Sequence, residues 1–215
     1  MQSHQVNPQL LEKWLKGWSL SRGLPLPEKY GSGFKVSVDW PEQKARYVFP
    51  ELTGEFSRLM KDITEPWVFG KVCAAPSEVQ KILCDGWEIQ EPGFLMTCLR
   101  RMAGERVTLP VGYRVSREVS GPVTIVRILA GDTDLAAIGR VVMVDDLAVY
   151  DRITTEPPHR RKGLATLILQ LLEETALLQG ITLGVLVATE QGKALYETLG
   201  WELISPYTSV VIPVK

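Results

Sequence analysis

Histidine and cysteine are scarce in this chain: two histidines and three cysteines among 215 residues. His4 and His159 stand far apart, and Cys73, Cys84 and Cys98 are odd in number with no C-x-x-C spacing. This argues against a metal centre and against a disulfide framework, and the thiols are expected to be free and buried. Excess charge is lacking as well. Lys and Arg number 24 against 25 Asp and Glu, a formal net charge of −1, which excludes a nucleic-acid binder working through a broad basic face. No apolar run approaches the roughly 20 residues that span a bilayer. The opening MQSHQVNPQLLEKWLKGW has no basic segment leading into an apolar stretch and cleavage site. The expectation is a cytoplasmic protein with neither a membrane nor a nucleic acid as partner. A hydrophobic content of 45% with 23% charged residues fits a folded globular chain, of one large domain or two of about 100 residues.

What is present is a local concentration of positive charge. EPPHRRKGLATLILQLLEETA (156–176) places Arg160, Arg161, Lys162 and Gly163 directly before a leucine-rich run. Apolar residues at Leu164, Leu167, Ile168, Leu171, Leu172 and Leu178 have the 3.6-residue spacing of an amphipathic helix, which Gly180 stops. Cations are unfavourable at the positive end of a helix dipole unless an anion is bound there. A basic turn that merely keeps the surface soluble is the alternative. Around this helix, Ala148–Thr155 and Ile181–Ala188 read as strands, KALYETLGW as a short helix and TSVVIPV as a closing strand. A hairpin turns at Asp145-Asp146, while GPVTIVRILAG fits helix or strand equally. The pattern is that of an α/β (α+β) layer with a mixed central sheet flanked by helices.

The chain also repeats itself. At an offset of 114, WVFGKVCA overlies ITLGVLVA and DGWEIQEP overlies LGWELISP, with Gly70, Ala74, Gly86, Trp87, Glu88 and Pro92 matched by identical residues. The first copy is expected to hold strands at 34–40, 67–74 and 93–99 and helices at about 50–63 and 77–84. This divides the chain into residues 1–105 and 106–215. At the same offset Arg160 falls on Arg46, Gly163 on Phe49, Leu164 on Pro50 and Tyr196 on Ile82. A bulky side chain and a proline without an N–H stand where close backbone approach is required.

Arg160-x-x-Gly163-x-Ala165 resembles the acyl-CoA signature Q/R-x-x-G-x-G/A of the GNAT superfamily of N-acetyltransferases. Thr155-Glu156-Pro157-Pro158-His159-Arg160 is similar to the V-x-P-x-Y-R strand end of that family, with Thr155 and His159 departing from it. Ala194–Trp201 is similar to the A-x-x-L-Y-x-x-x-G-F/W segment without the two spacers between A and L-Y. The resemblance covers about residues 110–213 and implies a GNAT fold, with residues 106–215 catalytic and 1–105 a smaller degenerate GNAT-like half that binds no CoA and would wall one side of the acceptor slot. It implies acetyl-CoA as co-substrate, no metal, and transfer of an acetyl or short acyl group to a primary amine on a small molecule or peptide. The amides from Arg161 through Lys162, Gly163, Leu164 and Ala165 to Thr166, with the Arg160 and Arg161 side chains, would cradle the pyrophosphate. The pantetheine arm would run past Ile153 and Thr155. Tyr196 would be the general acid and Asp151 or Glu156 the base. A non-catalytic acyl-CoA sensor is the alternative, and a homodimer is compatible with either. Trp14, Trp18 and Trp40 are read as packing residues first.

Overall fold

The computed structural model describes residues 6–214, so His4 lies outside it. The first half runs α1 (Pro8–Ser21), β1 (Glu28–Tyr30), β2 (Gly33–Trp40), β3 (Gln43–Phe49), α2 (Gly54–Asp62), β4 (Val68–Val72), α3 (Pro76–Val79), β5 (Glu88–Ile89) and β6 (Gly93–Cys98). The second runs β7 (Tyr113–Ser120), β8 (Val123–Ala130), β9 (Asp134–Val144), β10 (Leu147–Thr155), a 3-10 turn (Pro157–His159), α4 (Leu164–Leu177), β11 (Leu183–Thr189), α5 (Glu190–Thr198) and β12 (Glu202–Val211). The ambiguous stretch 121–131 is strand β8, fixed by antiparallel partners on both sides.

The strands form one sheet in the order β1-β2-β3-β4-β12-β6-β11-β10-β9-β8-β7, with β5 also on β12. The halves therefore exchange strands. β6 lies between β11 and the first part of β12, and the last part of β12 lies between β4 and β5. A boundary at residue 105 divides the chain but not the sheet. The crossing obeys the repeat: Gly93 pairs with Tyr207, its own counterpart 114 residues on, and Leu203↔Met96 and Glu202↔Thr97 mirror Val210↔Ile89 and Val211↔Glu88. One register thus serves both halves.

Upstream of that core the offset fails. β3 pairs with β4 through Arg46↔Phe69 and β10 with β11 through Leu147↔Leu183. Arg46 therefore stands where Leu147 stands, not where Arg160 does. The difference is thirteen residues, taken up by a longer β10, the basic loop and a longer α4. The pairings of Gly163 with Phe49 and of Leu164 with Pro50 are corrected accordingly: α2, not Pro50, is the element that follows β3 as α4 follows β10.

Three apolar clusters hold the layers. α4 and α5 cover one face of the second half, where Leu164, Leu167, Ile168, Leu169, Leu172 and Ala176 are buried; each large side chain contributes about 1.5–3 kcal/mol. Close approach is built in at Gly139, where a Cβ would lie 2.4 Å from Ile168 Cγ2. α1 covers the opposite face with Leu11, Trp14, Leu15 and Trp18 and reaches both halves. Its Gly17 lies so close to β10 that a Cβ would meet Val149 Cγ2 at 2.4 Å. The third cluster joins α2 and α3 to β12. No helix among the described residues is long and apolar enough to cross a membrane.

Candidate active site

The site begins where two parallel strands part. β10 and β11 pair only at Leu147, Ala148 and Val149. Beyond Val149, β10 stays on β9 but carries a bulge between Asp151 and Thr154, with Arg152 at φ 54°, while β11 stays on β6 as far as Thr189. A bulge bends its strand and raises local twist, so a slot opens between the strands. The counterparts in the first half do not part: β3 and β4 remain paired from Ala45↔Val68 to Phe49↔Val72.

From the end of β10 the chain turns into α4 through Pro157–His159, two left-handed residues, Arg161 (φ 63°) and Gly163 (φ 74°), and Lys162 between them. None of the backbone N–H groups from Arg161 to Thr166 has a protein acceptor among the described residues. α1, α2 and α5 each start with a capping side chain, from Asn7, Thr53 and Thr189, and α2 and α5 carry an acid in the first turn. α4 has neither. Arg160, Arg161 and Lys162 immediately precede its bare N-terminus, an arrangement that attracts an anion. At the corresponding place Thr53 Oγ1 accepts the Phe56 N–H at 3.3 Å, so the first half satisfies its helix start internally.

The basic residues are held in different ways. Arg160 Nε donates to the Thr155 carbonyl at 3.2 Å, and Arg161 is exposed with no ion pair among the described residues. Lys162 Nζ donates to Tyr113 Oη at 2.8 Å. His159, at the position of the expected aromatic, is buried: Tyr113 O–H donates to its Nδ1 (2.9 Å) and its Nε2–H donates to Asp134 (3.1 Å). It keeps an edge contact with Tyr113 at 5.6 Å and ties the turn to β7 and β9. Leu164 is buried, whereas Ala165 and Thr166 are half-buried. Ile153 packs its side chain into the α4 cluster. Thr155 Oγ1 is buried without a partner at the end of the slot strand.

Tyr196 projects from α5 with its ring 5.8 Å from Trp201, and the residue is 8% exposed. Its hydroxyl makes no hydrogen bond among the described residues. Burial first, then the Asp151 carboxylate, push its pKa up to about 12. Glu156 donates its own N–H to the Ala136 carbonyl (2.9 Å), and its carboxylate has no partner among the described residues.

Asp151 is placed otherwise than expected. Arg22 grips both of its oxygens, Nη2 on Oδ1 at 2.8 Å and Nε on Oδ2 at 3.0 Å, and Ser21 Oγ donates to Oδ2. Both oxygens are committed to the end of α1, and the carboxylate anchors that helix. Sequence reasoning could not find this clamp, whose members are 129 residues apart.

The model of the acetyltransferase (GNAT) family matches residues 89–201. Among solved structures, the GCN5-related N-acetyltransferase from Kribbella flavida is similar over 97% of this chain and 94% of its own, at a TM-score of 0.67 and 16% identity. The one from Sphaerobacter thermophilus covers 83% and 76%, at 0.56 and 12%. A tandem GNAT protein from the clavulanic acid biosynthesis pathway covers 85% and 80%, at 0.57 and 12%. At such identities the likeness is one of fold. No curated protein sequence matches the chain. With the matched family model spanning more than half its length, including the parted strands and the bare helix start, the chain belongs to the GNAT acetyltransferase family.

Proposed function

We propose that the second half transfers an acetyl or short acyl group from acyl-CoA to a primary amine. The observation that carries this reading is the uncapped, cation-flanked start of α4 beside a slot between β10 and β11. The pyrophosphate is received by the amides from Arg161 to Thr166 with Arg160, Arg161 and Lys162. The pantetheine arm lies along the free edge of β10 past Ile153 and Thr155, where a backbone N–H polarises the thioester carbonyl. The amine nitrogen attacks that carbon; the C–N bond forms and the C–S bond breaks. The nitrogen's proton leaves to Glu156, directly or through water. Tyr196 donates a hydrogen bond to the departing sulfur. Full proton transfer from a phenol at about 12 to a thiolate with a thiol pKa of about 8.5 is uphill by roughly 5 kcal/mol, so its contribution is charge stabilisation more than acid dissociation. The first half does not bind CoA in this reading, because β3 and β4 stay paired and Thr53 caps α2.

Commitment of Asp151 to α1 favours a second reading, an acyl-CoA sensor without turnover. Acetyl-CoA and a panel of primary amines, followed by free-thiol release and mass spectrometry of the amine, separate the two. Thiol released in step with N-acetylated product is the expected result; saturable binding with no release on any amine would leave the sensor.

A further inference from the structure

On the α1 face, next to the slot, the first half presents two basic side chains, Arg46 and Lys71, that make no ion pair among the described residues. Arg46, on β3, is 7% exposed; its guanidinium lies 3.4 Å from the centre of the Trp18 ring, its Nη2 donates to Gln43 Oε1 at 3.1 Å, and its Nε is buried without a partner. Lys71, on β4, has Nζ on Ser209 Oγ at 2.7 Å and over the Tyr207 ring at 5.9 Å. Tyr207 is 4% exposed, and its hydroxyl, like Gln43 Nε2, is buried with no partner. A buried cation without a counter-charge is costly, and buried polar atoms are normally hydrogen-bonded. Lys71 is half-buried, and desolvation first, then the positive charges of Arg46 and Arg22, lowers its pKa well below the usual value, so a bound oxyanion would restore its charge.

The cluster adjoins both lips of the slot. On the β10 side, Arg22 holds Asp151 and also stacks on Trp18, 4.7 Å from its ring centre, so Arg22 and Arg46 share one indole. On the β11 side, Tyr207 pairs with Gly93, whose Cβ position would lie 3.2 Å from Val187 Cγ1. Arg22 has its ion pair in Asp151; Arg46 and Lys71 have none among the described residues.

We infer that the amine acceptor carries an oxyanion, a carboxylate or a phosphoryl group, received by Arg46 and Lys71 of the first half together with the Tyr207 hydroxyl on β12. This rests on the acyltransferase reading. The cations hold the acid while the amine points into the slot toward the thioester, so the catalytically silent half selects the substrate. Two cationic donors and one neutral donor suit the oxygens of a single acidic group.

The test compares ω-amino acids, the matching ω-amino amides and ω-aminoalkyl phosphonates at saturating acetyl-CoA, in the wild type and in Lys71→Met and Arg46→Gln. The acidic amines are expected to exceed the amides in kcat/KM by about tenfold to a hundredfold, the range for a charge-assisted hydrogen bond. The ratio of carboxylate to phosphonate tells the two acids apart. In Lys71→Met that preference should shrink to about threefold or less, while acetyl-CoA affinity is unchanged. Equal kcat/KM for acids and amides in the wild type, or a preference that survives both substitutions, overturns the inference. Binding is read separately by titrating the N-acetylated acids and amides into the same proteins. Tight binding of the acids, weakened in Lys71→Met, with no turnover of any amine supports the anion site and fails the acyltransferase reading alone. No binding of the acids fails the anion site.

Discussion

Replacing Gly163 by aspartate separates backbone strain from loss of the anion site. Gly163 has φ 74°, where an L residue costs about 1–2 kcal/mol, and its Cβ would stand 3.3 Å from Val107 Cγ1, a side-chain methyl that can yield. A carboxylate at the start of α4 would return about 1 kcal/mol by accepting an otherwise unpaired amide, so net stability should fall by no more than about 1 kcal/mol, or roughly 2–4 °C in Tm for a chain of this size. Binding should respond differently. The same carboxylate takes up amides offered to the pyrophosphate, as Thr53 does for α2, and repels it. Losing two hydrogen bonds to charged oxygens, at about 1.5–3 kcal/mol each, weakens acetyl-CoA binding by about 100-fold or more. Thermal unfolding and calorimetric titration, with Gly163→Ala carrying the strain alone, give both numbers. A folded Gly163→Asp protein that binds acetyl-CoA within about threefold of the wild type would refute the reasoning.

Tyr196→Phe is expected to lower kcat by about tenfold to a hundredfold with little change in acetyl-CoA affinity. With its pKa near 12, Tyr196 stays protonated below about pH 11, so steady-state pH profiles should show no loss of kcat from its ionisation in the neutral or mildly alkaline range. Arg22→Met leaves Asp151, 10% exposed in its side chain, without its partner. A loss of about 3 kcal/mol, or roughly 6–12 °C in Tm, follows in thermal melts; an unchanged melt would show that the clamp holds nothing. Gly17→Ala forces a methyl against Val149, and overpacking there should cost about 1–3 kcal/mol in denaturant unfolding. Cys84 is exposed, contrary to the expectation that all three thiols are buried, so in the native protein a thiol reagent should modify it alone, since Cys73 and Cys98 are buried and burial holds the Cys73 thiol at about 12; all three should react once the chain is unfolded.

The elements nearest the site were the most legible. The apolar stripe of α4, its stop at Gly180 (φ 75°) and the strands on either side all carry their information locally, in period and in turn chemistry. The repeat was legible over 67–92, and its offset reappears as the register of the β6–β12 crossing. It misled upstream, because an ungapped offset cannot register a loop and helix that lengthened in one half only. The stripe itself was read slightly out of phase: Leu178 is 83% exposed, and Leu169 is buried in its place along the helix. What could not be read was pairing across distance. Nothing in Gly93–Cys98 tells that it enters the second half's sheet, since an apolar strand satisfies either edge. The roles of Arg22 with Asp151, and of Arg46 with Trp18, depend on α1 lying across both halves. Trp14 and Trp18 were rightly read as packing residues, yet Trp18 also bears the two guanidiniums that border the slot.

In the proposed reading one half of the chain has an acyl-CoA site and the other has none. Calorimetric titration of acetyl-CoA into the purified protein, with free CoA alongside, tests this most directly. One saturable site per chain, abolished by Gly163→Asp and indifferent to Thr53→Gly, is the predicted result. No binding, or two sites per chain, would contradict it.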